Sequence, residues 1–147
     1  MDIIGLLNDL TGGNLLLWKV IGTSLVLLGA GFQVLLAARF WGATSVPAMA
    51  PGTAARLHRI VGRVTLLIAV VVAVSCIAGP AGPTSPTRVL LHSVFGTLVF
   101  LILAAKFAFI RVLKSGDRYL PWIGTALFLV FGGIWATSVA DYVTAGV

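Results

Sequence analysis

Four stretches of this chain are apolar for about as long as a lipid bilayer is thick, and that feature constrains everything else. A helix crossing the hydrocarbon core needs roughly 20 mostly apolar residues. The runs from about Leu15 to Ala38, Leu57 to Ala78, Val89 to Leu113 and Tyr119 to Val143 all meet that length. Inside hydrocarbon every backbone N–H and C=O must be satisfied within the structure, so runs of this length are expected to be α-helices. The expected fold is therefore all-α: an integral-membrane four-helix bundle forming a single domain over residues 1–147. Composition agrees, with 59% hydrophobic and 10% charged residues, where a soluble domain carries about 25% charged residues. A soluble globular domain, a disordered tail and a fibrous protein are all excluded.

The breaks between the runs are distinct. Phe40 to Arg56 contains Pro47, Pro51 and Gly52 and reads as a surface loop. GPAGPTSP at 79–86 reads as a tight crossing, and KSGDR at 114–118 as a short polar turn. The segment before the first run carries Asp2 and Asp9 but no Lys or Arg, which argues against a secretory signal. Cys76 is the single cysteine, so no internal disulfide is expected.

Basic residues set the expected orientation. Arg39, Arg56, Arg59 and Arg63 flank the first loop, and Lys106, Arg111, Lys114 and Arg118 flank the third. The second connection has only Arg88. Cytoplasmic loops carry the excess of Lys and Arg, which places loops one and three in the cytoplasm and both termini on the outer side. The ten basic residues against four acidic ones do not suggest nucleic-acid binding, because they fall in loops and helix ends with no basic face. With so little chain outside the bilayer, the expected partners are lipids, a small cofactor or other membrane subunits. Lys19 and Asp141 lie near the same outer face. They suggest that the first and fourth spans are neighbours and that the two residues pair.

Small residues mark expected helix contacts. Gly132, Ala136 and Ala140, with Gly124 two turns earlier, share one face of span four, and Gly22 and Gly29 lie one heptad apart in span one. In lipid such rows let backbones approach closely. Trp18, Trp41 and Trp122 suit an interfacial belt, while Trp135 lies deeper and reads as core.

The chain has two histidines, and both occur in the same setting: Leu57-His58-x-x-Val61-Gly62 and Leu91-His92-x-x-Phe95-Gly96, thirty-four residues apart. Residues four apart share a helix face. An imidazole can bind iron, and a glycine one turn away lets a flat macrocycle approach the helix. His92, Gly96, His58 and Gly62 are thus candidate haem-facing positions, with His92 a candidate axial ligand. The alternative is that each histidine merely hydrogen-bonds near the membrane interface. The spacing between them excludes a shared haem: at about 1.5 Å rise per residue the two imidazoles are roughly 25–30 Å apart. Any haem needs another ligand, and Ser75 or Cys76 near His92, or Gln33 or Lys106 near His58, are the groups at matching depth.

The segments LHRIVGRVTLL, RVLLHSVFGTLVFLILAAKFAFIR and YLPWIGTALFLVFGGIWATSVADYV resemble an actinobacterial family of small four-span membrane proteins of unknown function. That family is distantly similar to membrane cytochrome b and ferric-reductase-like bundles. The resemblance implies a bacterial cytoplasmic membrane, a membrane redox assembly and a haem b site. It also implies a second histidine near the outer end of span two, where this chain has Ser75.

Two functions follow as expectations. One is a cofactor-free accessory or anchoring subunit of a larger membrane redox complex. The other is an electron-transfer subunit binding a b-type haem through His92, or His58, with an external or missing sixth ligand. Independent catalysis is not expected, as no nucleophile–base pair or metal cluster is visible.

Overall fold

The computed structural model describes residues 3–10, 12–79, 85–113 and 119–144. They form five helices: α1 (Ile3–Leu10), α2 (Leu15–Phe40), α3 (Pro51–Ala78), α4 (Pro86–Ala108) and α5 (Leu120–Thr144). A π-helical turn over Phe109–Leu113 continues α4. Four of these elements are long and apolar enough to cross a membrane: Leu15–Phe40, Pro51–Ala78, Pro86–Val112 and Leu120–Thr144. GPAGPTSP and KSGDR fall largely outside the described residues.

The helix ends follow from local chemistry. Asn14 caps α2, its side-chain oxygen accepting from the Leu17 N–H at 2.8 Å, and Ser85 caps α4 by accepting from the Arg88 N–H at 3.3 Å. Such caps satisfy N–H groups that the first turn leaves unpaired. The far end of α2 closes on Gly42, whose φ of 79° is left-handed. Gly42 N–H donates to the Arg39 carbonyl and Ala43 N–H to the Ala38 carbonyl, the paired bonds of a Schellman stop that glycine makes inexpensive. Pro51 and Pro86 each stand in the first turn of their helix, where the missing N–H costs nothing. Span two therefore begins six residues earlier than the apolar run suggests. His58 lies two turns inside α3 and does not open the span.

Contacts between helices fix the arrangement. Along α2 and α3, Leu15 lies beside Gly79, Gly22 faces Val72, Gly29 faces Thr65, and Gln33 lies against Gly62. As one number rises the other falls, so the pair is antiparallel. Steps of seven residues on both helices keep one face of each toward the other. The expectation for Gly22 and Gly29 holds: a methyl on either would run into the α3 side chain opposite. α5 packs on the other side of α2. A methyl on Gly31 would sit 3.3 Å from the Phe128 ring, and the Trp135 Nε1–H donates to Ser24 Oγ at 2.9 Å. The first and fourth spans are thus neighbours. The expected partner of Lys19 is Asp141, whose side chain falls outside what is described. α4 packs against α5, where Gly133 receives the Phe95 ring and Arg88 donates to the Thr144 hydroxyl at 3.1 Å.

The helices are therefore ordered α3, α2, α5, α4 in space. Among the described residues, α3 and α4, consecutive in sequence, have almost no direct contact. A small core of Val26, Ala30, Val99 and Phe131 ties α2, α4 and α5 together. The row in span four points elsewhere than expected. A methyl on Gly124 or Gly132 would meet nothing within 4 Å, and Ala136 and Ala140 are exposed. In this row glycine is not used for close packing within the chain; Gly133, one position along, is.

Candidate functional site

The two histidine–glycine pairs have different surroundings. The first is spent on packing α3 against α2. His58 Nδ1 lies 3.1 Å from the backbone oxygen of Gln33. A carbonyl only accepts, so Nδ1 carries the proton. The ring meets Phe40 edge-on, with centroids 5.4 Å apart and planes at 76°, a favoured aromatic geometry. One turn along, the space beside Gly62 is taken by the Gln33 side chain, whose Oε1 would lie 2.9 Å from an added methyl. Gln33 does stand near His58, as its depth suggests, but it fills the place a flat ring would need.

The second pair faces open space. His92 and Gly96 line a cavity of about 430 Å³ between α3 and α4, within the roughly 300–1,000 Å³ common for small-molecule sites. A methyl on Gly96 would meet nothing within 4 Å. Val26 of α2, Val99 of α4 and Phe131 of α5 are buried members of the wall. Leu66 and Val70 of α3 and Phe100 of α4 are 44%, 42% and 50% exposed, so the cavity opens sideways along the seam where the two helices do not meet. His92, Gly96 and Phe100, spaced four apart, form one stripe on α4.

Hydrogen bonding defines the His92 ring. Its Nδ1 is 2.8 Å from the Thr137 hydroxyl oxygen. That hydroxyl also reaches back to the carbonyls of Ile134 at 2.8 Å and Gly133 at 3.1 Å, as helical threonines commonly do. The hydroxyl thus ties the His92 ring to α5, with the direction of the bond following the imidazole tautomer.

Position 75 does not face this site. Ser75 is fully buried and donates to the Val72 carbonyl at 2.7 Å; the residue that lines the cavity with His92 is Cys76. The depth match inferred from helix rise is correct, but the helix face is that of residue 76. A histidine meant to oppose His92 belongs at 76. Across the cavity from the imidazole there is thus a thiol, and among the described residues no three His, Cys, Asp or Glu side chains gather as a metal-binding group. His58 is absent from the cavity lining. Arg59 and Arg63 are exposed, and Lys106 is half-buried.

Other contributors carried weaker signals. Thr137 is forty-five residues from His92 and has no local mark of its role. Thr23, Ser93 and Thr97 also line the cavity; Thr97 could have been found from its place one residue beyond the Gly96 stripe, whereas Thr23 is brought in only by the packing of α2.

No curated protein and no solved structure matches the chain. Residues 8–146 match a family described as "Family of unknown function (DUF6529)". A match over nearly the whole length, through all four long helices, means that the chain belongs to that family.

Proposed function

We propose that the chain is a small accessory or anchoring subunit of a larger membrane redox complex, in a bacterial cytoplasmic membrane, without a haem or catalytic chemistry of its own. The observation that carries the reading is the use made of the two histidines. His58 is committed to the α2–α3 contact through Gln33 and Phe40. His92 is bonded to Thr137 and lines its cavity together with Cys76. The two imidazoles thus serve different contacts, which supports a four-helix membrane subunit that holds no haem of its own. Long exposed apolar faces, such as Leu67 and Ile77 on α3 and Leu90 and Leu101 on α4, suit lipid and partner helices.

Gentle detergent extraction of the tagged chain, after crosslinking in the membrane, tests the reading. The expected result is co-purification of other membrane subunits that carry redox centres, while the chain purified alone shows no haem bands after dithionite reduction. Isolation without partners would overturn it. Orientation is tested in a Cys76→Ala background: a cysteine at Gly82 should react with an impermeant maleimide from outside the cell, and one at Ser115 should not. The reverse pattern would exchange the sides of both histidines.

A second reading, a b-type haem held through His92, is favoured by the open face of Gly96 one turn from the imidazole. His92 would hold the iron and Gly96 would admit the ring, and the group would supply one-electron transfer. The site offers one imidazole, so the iron would be five-coordinate or completed from outside the chain. The same dithionite-reduced spectrum separates the two readings.

A further inference from the structure

One end of the bundle holds more positive charge than the chain itself can neutralise. Apart from Lys19 and Arg88, every Lys and Arg belongs to the end where α2 stops and α3 starts. Of the four acidic residues, Asp2 and Asp9 precede α2 and Asp141 stands in the last turn of α5, so Asp117 alone falls at this end. Among the described residues, no carboxylate pairs with Arg59, Arg63 or Lys106.

These three cations meet at the seam between α3 and α4. Leu66 and Val70 line the cavity from α3. Arg59 and Arg63, both exposed, continue their stripe toward the start of the helix at the three-and-four spacing of one helix face. On α4, Lys106 lies seven residues beyond Val99, which is buried in the core and is part of the cavity wall. Positions a heptad apart share a face, so this lysine is turned inward, and it is half-buried. Lys106 and Arg59 are both within electrostatic reach of the His58 ring, which sets the two helices' cations at one depth. The apolar lining follows at once on both sides, with Leu66 three residues from Arg63 and Leu103 three from Lys106. The cations therefore stand at the head of an apolar slot that opens sideways past Leu66, Val70 and Phe100.

An ionised side chain held between membrane helices is costly unless an opposite charge joins it. Basic pockets between membrane helices hold phosphorylated lipid head groups. A lipid answers both parts of the site, because its phosphate meets the cations and its hydrocarbon meets the slot; a soluble anion answers only the first. We infer that an anionic phospholipid binds at this end of the seam, its phosphate between Arg59 and Lys106 with Arg63 beside it, and one acyl chain lying along Leu66 and Leu103. The inference goes beyond the subunit reading: it concerns the isolated chain, and co-purification of redox subunits neither supports nor weakens it.

The test titrates the full chain, in neutral detergent micelles, with dioleoyl phosphatidylglycerol or dioleoyl phosphatidylcholine, which share their acyl chains and differ in net charge. Native mass spectrometry counts the lipid retained. One phosphatidylglycerol per chain is expected, bound at least about tenfold more tightly than phosphatidylcholine, the effect of two basic residues at a charged lipid surface. Arg59→Gln with Lys106→Gln should remove most of that preference. Arg56→Gln with Arg111→Gln takes away the same charge nearer the connecting loops and should leave it. Arg59→Gln alone, at an exposed position that does not threaten the fold, should already lower it about threefold, and circular dichroism checks the helices of every variant. Equal retention of the two lipids by the unaltered chain would overturn the inference, as would an undiminished preference in Arg59→Gln. An equal loss in the two double variants would overturn it in favour of bulk charge alone. Displacement of the lipid by millimolar glycerol 3-phosphate would overturn it in favour of a soluble anion.

Discussion

His58 with Gly62 and His92 with Gly96 are near copies in sequence, and the bundle uses them in opposite ways. At the first pair, α2 comes in close: the imidazole donates to a backbone carbonyl of α2, and the glycine makes room for a glutamine side chain. At the second pair, the neighbouring helix stays away. The imidazole is tied sideways to Thr137 of α5, and the glycine opens onto a cavity. The first pair contributes to holding the fold, and the second borders open space. The difference comes from the partner helix: α2 is pressed against the face of α3 that carries His58 and Gly62, whereas among the described residues α3 and α4 barely meet beside His92 and Gly96. A histidine one turn from a glycine therefore carries no fixed meaning; its role depends on what covers the glycine.

The largest test of this contrast replaces glycines by leucine. Gly29→Leu drives a side chain into Thr65, a buried β-branched residue with little freedom to move. Gly62→Leu drives one into Gln33. Overpacking a close contact costs about 1–3 kcal/mol or more, so both variants should lower the midpoint of unfolding in an SDS titration, Gly29→Leu the more strongly. Gly96→Leu should leave the midpoint nearly unchanged. An equal loss at positions 62 and 96 would mean that the second pair is also a packing contact, and the contrast would fail.

Truncating the histidines should give a smaller effect of the same sign. His58→Ala removes the bond to the Gln33 carbonyl and the contact with Phe40. His92→Ala removes the bond to Thr137 and one side of the cavity lining. Side-chain hydrogen bonds between membrane helices average about 0.6 kcal/mol, and at His58 the lost edge-on contact with Phe40 adds to that. His58→Ala is therefore expected to cost about 1–2 kcal/mol, where cavity formation joins the lost bond, and His92→Ala about 0.6 kcal/mol. The SDS midpoint reads both. A larger loss for His92→Ala would reverse the assignment of roles.

These contrasts also show which parts of the structure are legible in the sequence. The four long helices are legible because length and apolarity decide them without reference to anything else in the chain. α1 is not legible, because eight residues fall well below the length of a span. Pro51 reads as loop because proline signals both a turn and a first helical turn, and the bare sequence does not separate the two. The inner face of α5 is hidden for a related reason. A helix that is apolar all round gives no stripe to mark its inner side, so the Gly132 row and Gly133, only 100° apart, looked equally suited to packing. The two histidine pairs looked alike because what distinguishes them is Gln33, twenty-five residues from His58. Ser75 and Cys76 were not told apart as partners of His92, since depth can be counted from the sequence but rotation depends on packing.

The finest test substitutes alanine at the two paired glycines. In water, Gly→Ala within a helix gains about 1 kcal/mol of intrinsic propensity. Here that gain should largely vanish, because spans this apolar remain helical in lipid or detergent when the bundle comes apart. What is left is the space around the added methyl. At Gly62 it lands 2.9 Å from Gln33 Oε1, the far end of a flexible side chain, which can give way at a small cost. At Gly96 it meets nothing within 4 Å. Gly62→Ala should therefore be less stable than Gly96→Ala by less than about 1 kcal/mol, below the usual overpacking cost because the end of Gln33 can move, with Gly96→Ala near wild type. Adding Gln33→Ala should abolish the difference, because residues in contact are energetically coupled and removing one releases the other. If Gln33→Ala leaves the gap between the two alanine variants untouched, then Gln33 is not what closes the first site. The difference between the pairs would then need a cause other than the helix pressed against α3.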